Sequence, residues 1–491
     1  MKKFLKPSLS IFALTLLTIS YSALSSSFEG AQKADADNSA LPKDNITLRD
    51  NSEAEIRSYY SSLNAKETSE RSGNNLLKNL KPILKEGMKY YSYDNVWKAY
   101  EITDRDWTLS PAINDNYNGT VYDAVTLTYT KYAYGSSSSN PGNDPYVHTL
   151  YRDRSNPDAR IKEWGAHTGN NATNREHVWC QSRGFKGRDG SSAAAYGPAG
   201  TDLHHLISGD GKVNTNYHND LPYGNVDKTK TYKDASAEFA WLAGNLVGTP
   251  VKISAQDTQA EVFEPRDEDK GDIARACFYM VARYNNLAGE TGVISDYEPN
   301  LALAEYATGT GVAEYSTDTK PVYMGIMSDL LAWNKLDPVD DYEIHRNNLI
   351  FNNFQNNRNP FIDFPEWADI IWGGATGYAN PSSDAIAVGE NGPRTPENPS
   401  SSAPTSNQSS TPTSTPSSKP EEPTSFLDSL TPSQKTLIVG IAVGIVVVIA
   451  IVIIVLIVKG KVKVKVTKKG KVKIKPVTTK KKSSSSSKKK K

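Results

Sequence analysis

The sequence predicts an α+β domain followed by one C-terminal transmembrane helix. Three observations point there: an alternating aromatic and β-branched stretch, several helix-patterned segments, and one uninterrupted apolar run near the C-terminus.

Residues 1–24 have lysines at positions 2, 3 and 6, an apolar stretch from Ile11 to Ile19 and small residues after it, the layout of a secretory signal peptide. An uncleaved membrane anchor is the alternative, and either exports the rest of the chain. Residues 25–75 read as a polar leader rich in Ser, Asn and Lys, ending in helix pieces such as Glu53 to Leu63. A domain is expected over 76–378. Within it VYDAVTLTYTKYAYG alternates as a strand does. Ser136 to Asp144 is a loop, and helices are expected at Ala235 to Leu246, Asp272 to Asn286 and Ser328 to Lys335.

Residues 379–435 dissolve into Pro, Ser, Thr, Asn and Glu, a composition that cannot bury a core and reads as a spacer. Extended at about 3.1 Å per residue, its last 45 residues would reach on the order of 140 Å. Residues 437–458 are 22 consecutive residues without a charge, long enough to span a bilayer as a helix. The tail, 459–491, holds 16 lysines and no acid, which places it in the cytoplasm and the bulk of the chain outside. Its VKVKV alternation could meet anionic lipid, although stopping transfer is role enough.

The net charge of +1 conceals that asymmetry. Without the 16 tail lysines, 40 of the 56 basic residues face 55 acidic ones, so residues 1–458 carry −15. That balance counts against a broad basic groove for nucleic acid, and any polyanion site must be local or supplied by a metal. Two cysteines, Cys180 and Cys277, lie in the exported part, where one bridge or two separate buried thiols are equally open.

Four of the seven histidines fall between 177 and 218, in NREHVW (174–179), TDLHHL (201–206) and KVNTNYHN (212–219). Hydrolysis of a phosphodiester needs a base for water, a cation for the phosphate and the departing oxygen, and donors for the remaining oxygens. His177, Glu176 and Asn214, with nearby arginines, supply a candidate for each. Carboxylate and amide oxygens suit magnesium or calcium, which need few protein ligands because magnesium keeps several waters. Glu176 and His177 are adjacent, so they can share a site only at a strand end or a bulge. Zinc on Cys180, His218 and one of His204 and His205 is a weaker possibility, since neighbouring side chains on a strand diverge.

NREHVW, then DLHHL, then VN…N…PYG resembles the signature of the bacterial endonuclease I family. The resemblance continues through Phe263, Pro265, Lys270, Gly271, Asp272, Ala274, Arg275 and Tyr279, and through blocks between Leu330 and Pro365. It implies a ββα-metal (His-Me finger) nuclease core surrounded by helices. In that core His177 is the general base, and Glu176 and Asn214 are ligands of Mg²⁺, or of Ca²⁺ or Mn²⁺. Arg175, Arg183, Arg188, His204, Asn219 and Arg358 are expected to bind phosphate or support the site. Arg358 stands in a block, Gln355 to Asn359, that reads equally as a buried polar network.

The expected function is a membrane-anchored extracellular endonuclease cutting DNA, RNA or both with little sequence specificity and leaving 5′ phosphates. The partners implied are nucleic acid and a membrane crossed once; no protein partner is implied. A catalytically inactive nucleic-acid-binding or adhesion protein on the same fold, and a phosphatase of small esters, are the rivals. Three departures from the family pattern stand out: Cys180 where proline is usual, Tyr217 where arginine is frequent, and an extra residue at Asp220.

Overall fold

The computed structural model describes residues 40–109, 121–134, 146–161, 173–185, 197–251, 261–289, 298–305, 314–392 and 394, with strands at 462–466 and 472–476. The expected signal peptide, most of the spacer, the apolar run 437–458, the loop 136–144 and Arg188 lie outside the described residues. Among the described residues no helix is long and apolar enough to cross a membrane.

The domain takes in residues well before 76. Ile46, Leu48, Ile56, Tyr60 and Leu63 are all buried in its cores, because the polar leader spaces its few apolar residues to one side. Strand β1 (Ile46–Thr47) pairs with β3 (Thr128–Lys131), which also takes β2 (Val121–Asp123). The alternating stretch is therefore two strands of a hairpin, not one. Helix α1 (Glu53–Tyr59) starts at a reciprocal capping box between Ser52 and Glu55. Helix α2 (Gly73–Lys85) buries Leu76, Leu77, Leu80 and Leu84 along one face, and α3 (Tyr93–Thr103) begins at the Ser92 cap.

Strand β4 (Thr173–His177) runs antiparallel to β6 (Leu206–Asp210), with His177 opposite Leu206 and Thr173 opposite Asp210. Between them come β5 (Arg183–Gly184) and the helical turn α4 (Gly197–Gly200). A short π-helix, Val213–His218, comes directly after β6. Three antiparallel strands, β7 (Tyr232–Asp234), β8 (Leu246–Gly248) and β9 (Val262–Glu264), form the next sheet. The helix expected over Ala235 to Leu246 is absent: two 3₁₀ turns, Ala235–Ala237 and Ala240–Leu242, occupy it, and Leu246 already belongs to β8. Asp234 turns the chain there by accepting from the Ser236 amide, and Gly244 at φ 91° leads into the strand.

Helix α5 (Lys270–Arg283) is the axis of the domain, buried over its whole length. Its charged side chains are therefore all paired, as buried charges must be. Arg275 grips Glu343 with two bonds of 2.6 Å, with Asp272 at 3.7 Å; Arg283 holds Glu298, and Lys270 holds Glu264 and Asp267. Strands β10 (Leu301–Ala304) and β12 (Val322–Ile326) pair in parallel, as do β5 and β11 (Glu314–Tyr315). Helices α6 (Met327–Leu336) and α7 (Asp341–Leu349) come next, then a second π-helix at Ile350–Gln355 and two short helices, α8 (Pro360–Asp363) and α9 (Trp367–Ile371).

Order continues past 378. Ala379 is buried, Asp384 accepts from the Trp367 indole at 2.8 Å, and the Arg394 amide donates to Asp50. Cys180 and Cys277 are both buried free thiols. In the separate unit formed by 402–491, β13 (Val462–Val466) and β14 (Val472–Pro476) make an antiparallel hairpin.

Candidate active site

Strand β4 is an edge strand, paired on one side only with β6 among the described strands. Along its other side lies a cleft of about 320 Å³. Glu176, His177 and Asn214 all line it, together with Arg175 and Asn219. The pairing of β4 with β6 has no irregularity at Glu176 or His177, so no bulge brings them together. They share the cleft because His177 is the last residue of the strand and the chain bends immediately after it.

The His177 ring is fixed from three directions. Its Nε2 lies 2.9 Å from the carbonyl oxygen of Gly200, the last residue of α4, and the Gln181 amide is 2.9 Å from the same nitrogen. Tyr93 stacks on its face, with centroids 5.8 Å apart. The Gly200 carbonyl can only accept and the Gln181 amide nitrogen can only donate, so Nε2 serves one of them at a time; bonded to Gly200 it carries the ring proton and leaves Nδ1 with the lone pair. Burial, with the neighbouring His205, pushes His177 well below the usual histidine range, to about 3. The ring is therefore neutral at any physiological pH.

Glu176 is buried, and its Oε1 accepts from the Tyr151 hydroxyl at 2.7 Å and from His218 Nδ1 at 2.6 Å. Oε2 makes no hydrogen bond among the described residues and belongs to a side chain on the cleft wall. Room for that side chain comes from Gly209 on β6, where a Cβ would stand 2.8 Å from the Cβ of Glu176. Burial opposes a charge on His218, but Cys180 and Glu176 outweigh it and raise its pKa to about 10. Its Nε2 faces Cys180 Sγ at 3.6 Å, and the thiol also reaches the Asn219 carbonyl at 3.2 Å.

Asn214 sits on the first turn of the π-helix, and its side chain makes no hydrogen bond among the described residues. Asn219 closes that helix at φ 48°, a left-handed conformation that asparagine tolerates, and its backbone amide donates to the Asn214 carbonyl at 2.8 Å. One carboxylate oxygen and one amide oxygen, both without other partners, fit a hard divalent cation that completes its shell with water. Among the described residues no three His, Cys, Asp or Glu side chains gather as a metal cage, so the zinc alternative on Cys180, His218 and His204 or His205 is not formed.

The remaining predicted residues divide. The guanidinium of Arg175 lies over Tyr93, 3.3 Å from the ring centroid, and bonds the Tyr93 carbonyl, which holds it at the cleft wall. Arg183 is buried instead, and its Nε donates to the Asp220 carbonyl at 2.7 Å; it fastens the extra residue after the π-helix rather than lining the cleft. Arg358 is also buried, in a two-bond pair with Asp363, because a charge at that depth requires a fixed partner. His204 bonds Asn357 through Nε2 and packs on Tyr279.

His204 is part of a brace beneath the two strands, centred on Asp202. Oδ2 of Asp202 accepts from Tyr279 at 2.7 Å and Tyr284 at 2.8 Å; Oδ1 accepts from Gln355 at 2.9 Å and from the His204 amide at 3.0 Å. Sequence reasoning overlooked Tyr93, Trp97, Tyr151, Gln181 and Gly200, and weighed His218 only for zinc. The aromatic run YYSYDNVWKAY was visible as a cluster, but nothing in it announces proximity to a strand roughly 80 residues away.

Residues 72–366, more than half of the chain, match the family described as Endonuclease I. An extracellular ribonuclease of Bacillus amyloliquefaciens is 35% identical over 319 residues, covering 65% of this chain and 79% of that protein. One of Bacillus subtilis (strain 168) is 34% identical over 319 residues, covering 65% and 80%. No solved structure matches the chain.

Proposed function

The chain belongs to the endonuclease I family and is a nucleic-acid-hydrolysing enzyme, and on that basis we propose that the cleft beside β4 is where a phosphodiester is cut. The observation that carries this reading is the bond from His177 Nε2 to the Gly200 carbonyl, which leaves a neutral imidazole with its Nδ1 lone pair uncommitted on the cleft that holds Glu176 and Asn214.

In this reading β4, β6 and the π-helix are the strand, strand and helix of a ββα-metal finger. His177 takes a proton from water at Nδ1 while the Gly200 carbonyl, holding the opposite nitrogen, steadies the imidazolium that results. The water's oxygen bonds to phosphorus in line as the bond to the 3′ oxygen breaks; the 3′ oxygen takes a proton from solvent and leaves as a hydroxyl, and the phosphate stays on the 5′ side. Glu176 Oε2 and the Asn214 amide oxygen are the ligands for a divalent ion, Mg²⁺ or else Ca²⁺ or Mn²⁺, which when bound offsets charge on the phosphate and the departing oxygen. In this reading Arg175 meets a non-bridging oxygen and Asn219 a second, which is supported by both lining the cleft. Tyr93 and Trp97 stand on the same wall beneath the Arg175 guanidinium, which holds that charge in place there. A site of this kind reads the backbone, so RNA, the substrate named for the two relatives, and DNA both fall within its reach.

The relatives' description as extracellular, with the export signal and apolar run of the sequence, supports an enzyme displayed outside the cell on one membrane span, its lysine tail inside. The test is to incubate the protein with supercoiled plasmid and with RNA, with Mg²⁺, with EDTA, and as His177→Ala. A general base is worth about 10²- to 10⁴-fold. A loss far below that, or cleavage that persists in EDTA, ends the assignment.

A further inference from the structure

Tyr151 stands in the left-handed region of backbone conformation, at φ 73°. A bulky aromatic residue is an outlier there, and such a conformation persists only where its surroundings impose it. The imposing groups are in place. Leu150 runs alongside β6, its amide donating to the Ser208 carbonyl at 3.0 Å and its carbonyl accepting from the Asp210 amide at 3.1 Å. At the next residue the backbone is held from both ends: the Tyr151 amide donates to Asp269 Oδ2 at 2.7 Å, and the Tyr151 carbonyl accepts from Asn245 Nδ2 at 2.9 Å. Asp269, immediately before α5, and Asn245 are both buried, and Asp269 is itself paired with Arg154 at 3.5 Å.

The clamp decides where the ring goes. Leu150 lies on one side of β6 and β4 on the other. The Tyr151 ring lies over Gly209, where a Cβ would stand 3.7 Å from its Cε2 and 2.8 Å from the Cβ of Glu176. A position without a side chain therefore lets the ring cross β6, and its hydroxyl donates to Glu176 Oε1 at 2.7 Å. Phe263 meets the ring edge to face, with centroids 5.3 Å apart, and the Tyr223 hydroxyl stands 3.3 Å from that of Tyr151.

Tyr151 is fully buried and does not line the cleft. Strain kept at a residue that does not meet substrate calls for an effect passed through a neighbour, and the neighbour it reaches on the cleft wall is Glu176.

We propose that Tyr151 is a positioning residue for the metal site: its clamped backbone fixes the hydroxyl on Glu176 Oε1 and so reserves Oε2 for the cation. The proposal rests on the reading of Glu176 as a ligand, and adds that this ligand is set from across β6 as well as by His218.

The detergent-solubilised full chain, free of nucleic acid, is titrated with Mn²⁺, and the unbound ion is read by electron paramagnetic resonance, independently of cleavage. Tyr151→Phe keeps the ring and removes the hydroxyl alone. Its Kd for Mn²⁺ should rise about 10- to 100-fold, while kcat for cleavage at saturating Mn²⁺ stays within about threefold of the parent. Tyr223→Phe removes a hydroxyl that meets Tyr151 and has no bond to Glu176 among the described residues, and should leave Kd within about threefold. An unchanged Kd in Tyr151→Phe, or a rise as large in Tyr223→Phe, overturns the proposal. So does a loss of kcat that saturating Mn²⁺ does not restore, the mark of a merely structural side chain. Glu176→Ala separates the two readings. If it abolishes Mn²⁺ binding while Tyr151→Phe does nothing, Glu176 remains a ligand and the positioning role alone fails; if Mn²⁺ binds as before, both fail.

Discussion

His218 donates through Nδ1 to Glu176 Oε1 at 2.6 Å, and both side chains are buried. That bond, with the one from Tyr151, occupies one carboxylate oxygen and leaves the other without a partner among the described residues. In His218→Ala the carboxylate loses its orientation, and the Mg²⁺ concentration needed for half-maximal cleavage should rise about 10- to 100-fold, the usual cost of removing such a partner. His218→Gln, which keeps a donor, should recover part of it. An unchanged Mg²⁺ dependence would remove Glu176 from the metal site.

Asn214 separates function from stability. Its side chain makes no hydrogen bond among the described residues, so Asn214→Ala should leave the urea midpoint unchanged while cleavage demands more Mg²⁺. Asn214→Asp retains a ligating oxygen and should need less Mg²⁺ than the alanine variant. A fall in the urea midpoint of the alanine variant would show the side chain to be structural.

Asp202 does the reverse. Asp202→Ala would strand the hydroxyls of Tyr279 and Tyr284 and the amide of Gln355 inside the domain. A buried polar group left unsatisfied costs about 1–3 kcal/mol, and equilibrium urea unfolding should show a loss of at least that order. A change under about 1 kcal/mol, the scale of an ordinary surface substitution, would mean the brace is dispensable.

Acid should weaken the clamp between α5 and Glu298. Burial opposes the Glu298 charge, but Arg283 and Lys85 outweigh it and hold its pKa down at about 2, against an ordinary glutamate value of 4.5. A carboxylate depressed by folding adds stability that is fully present above the unfolded value and is lost as pH falls from about 4.5 toward 2. The difference corresponds to on the order of 3 kcal/mol. Glu298→Gln should therefore be less stable than the parent at pH 7, and the gap should close as urea unfolding is repeated down to about pH 2. A gap independent of pH would refute the pairing.

Three of the residues singled out, Glu176, His177 and Asn214, do line one cleft, because they are tied to short runs. NREHVW sets the first two at a strand end, and the asparagine comes one strand later. Helix α5 was legible from its pattern within two or three residues at each end. What could not be read was how each side chain would be held. The Gly200 carbonyl, Tyr151 and His218 act through atoms that become neighbours only after folding, and a carbonyl leaves no mark in a sequence. Arg183 and Arg358 lie off the cleft for a related reason: sequence gives an arginine's charge but not its depth, and both are sunk against fixed partners, Arg358 in the buried polar network that was one of its two readings. The Ala235 to Leu246 segment has helical spacing, but local turn chemistry at Asp234 and Gly244 prevailed.

The Asp202 brace also bears on when activity can begin. Gly200, whose carbonyl holds the base, stands two residues before Asp202, and Asp202 is secured by Gln355, 153 residues later in the chain. During synthesis from the N-terminus, His177, Glu176 and Asn214 therefore emerge long before the residue that completes the brace beside them. The order of the chain thus sets the making of the cleft late, after its lining residues are already in place.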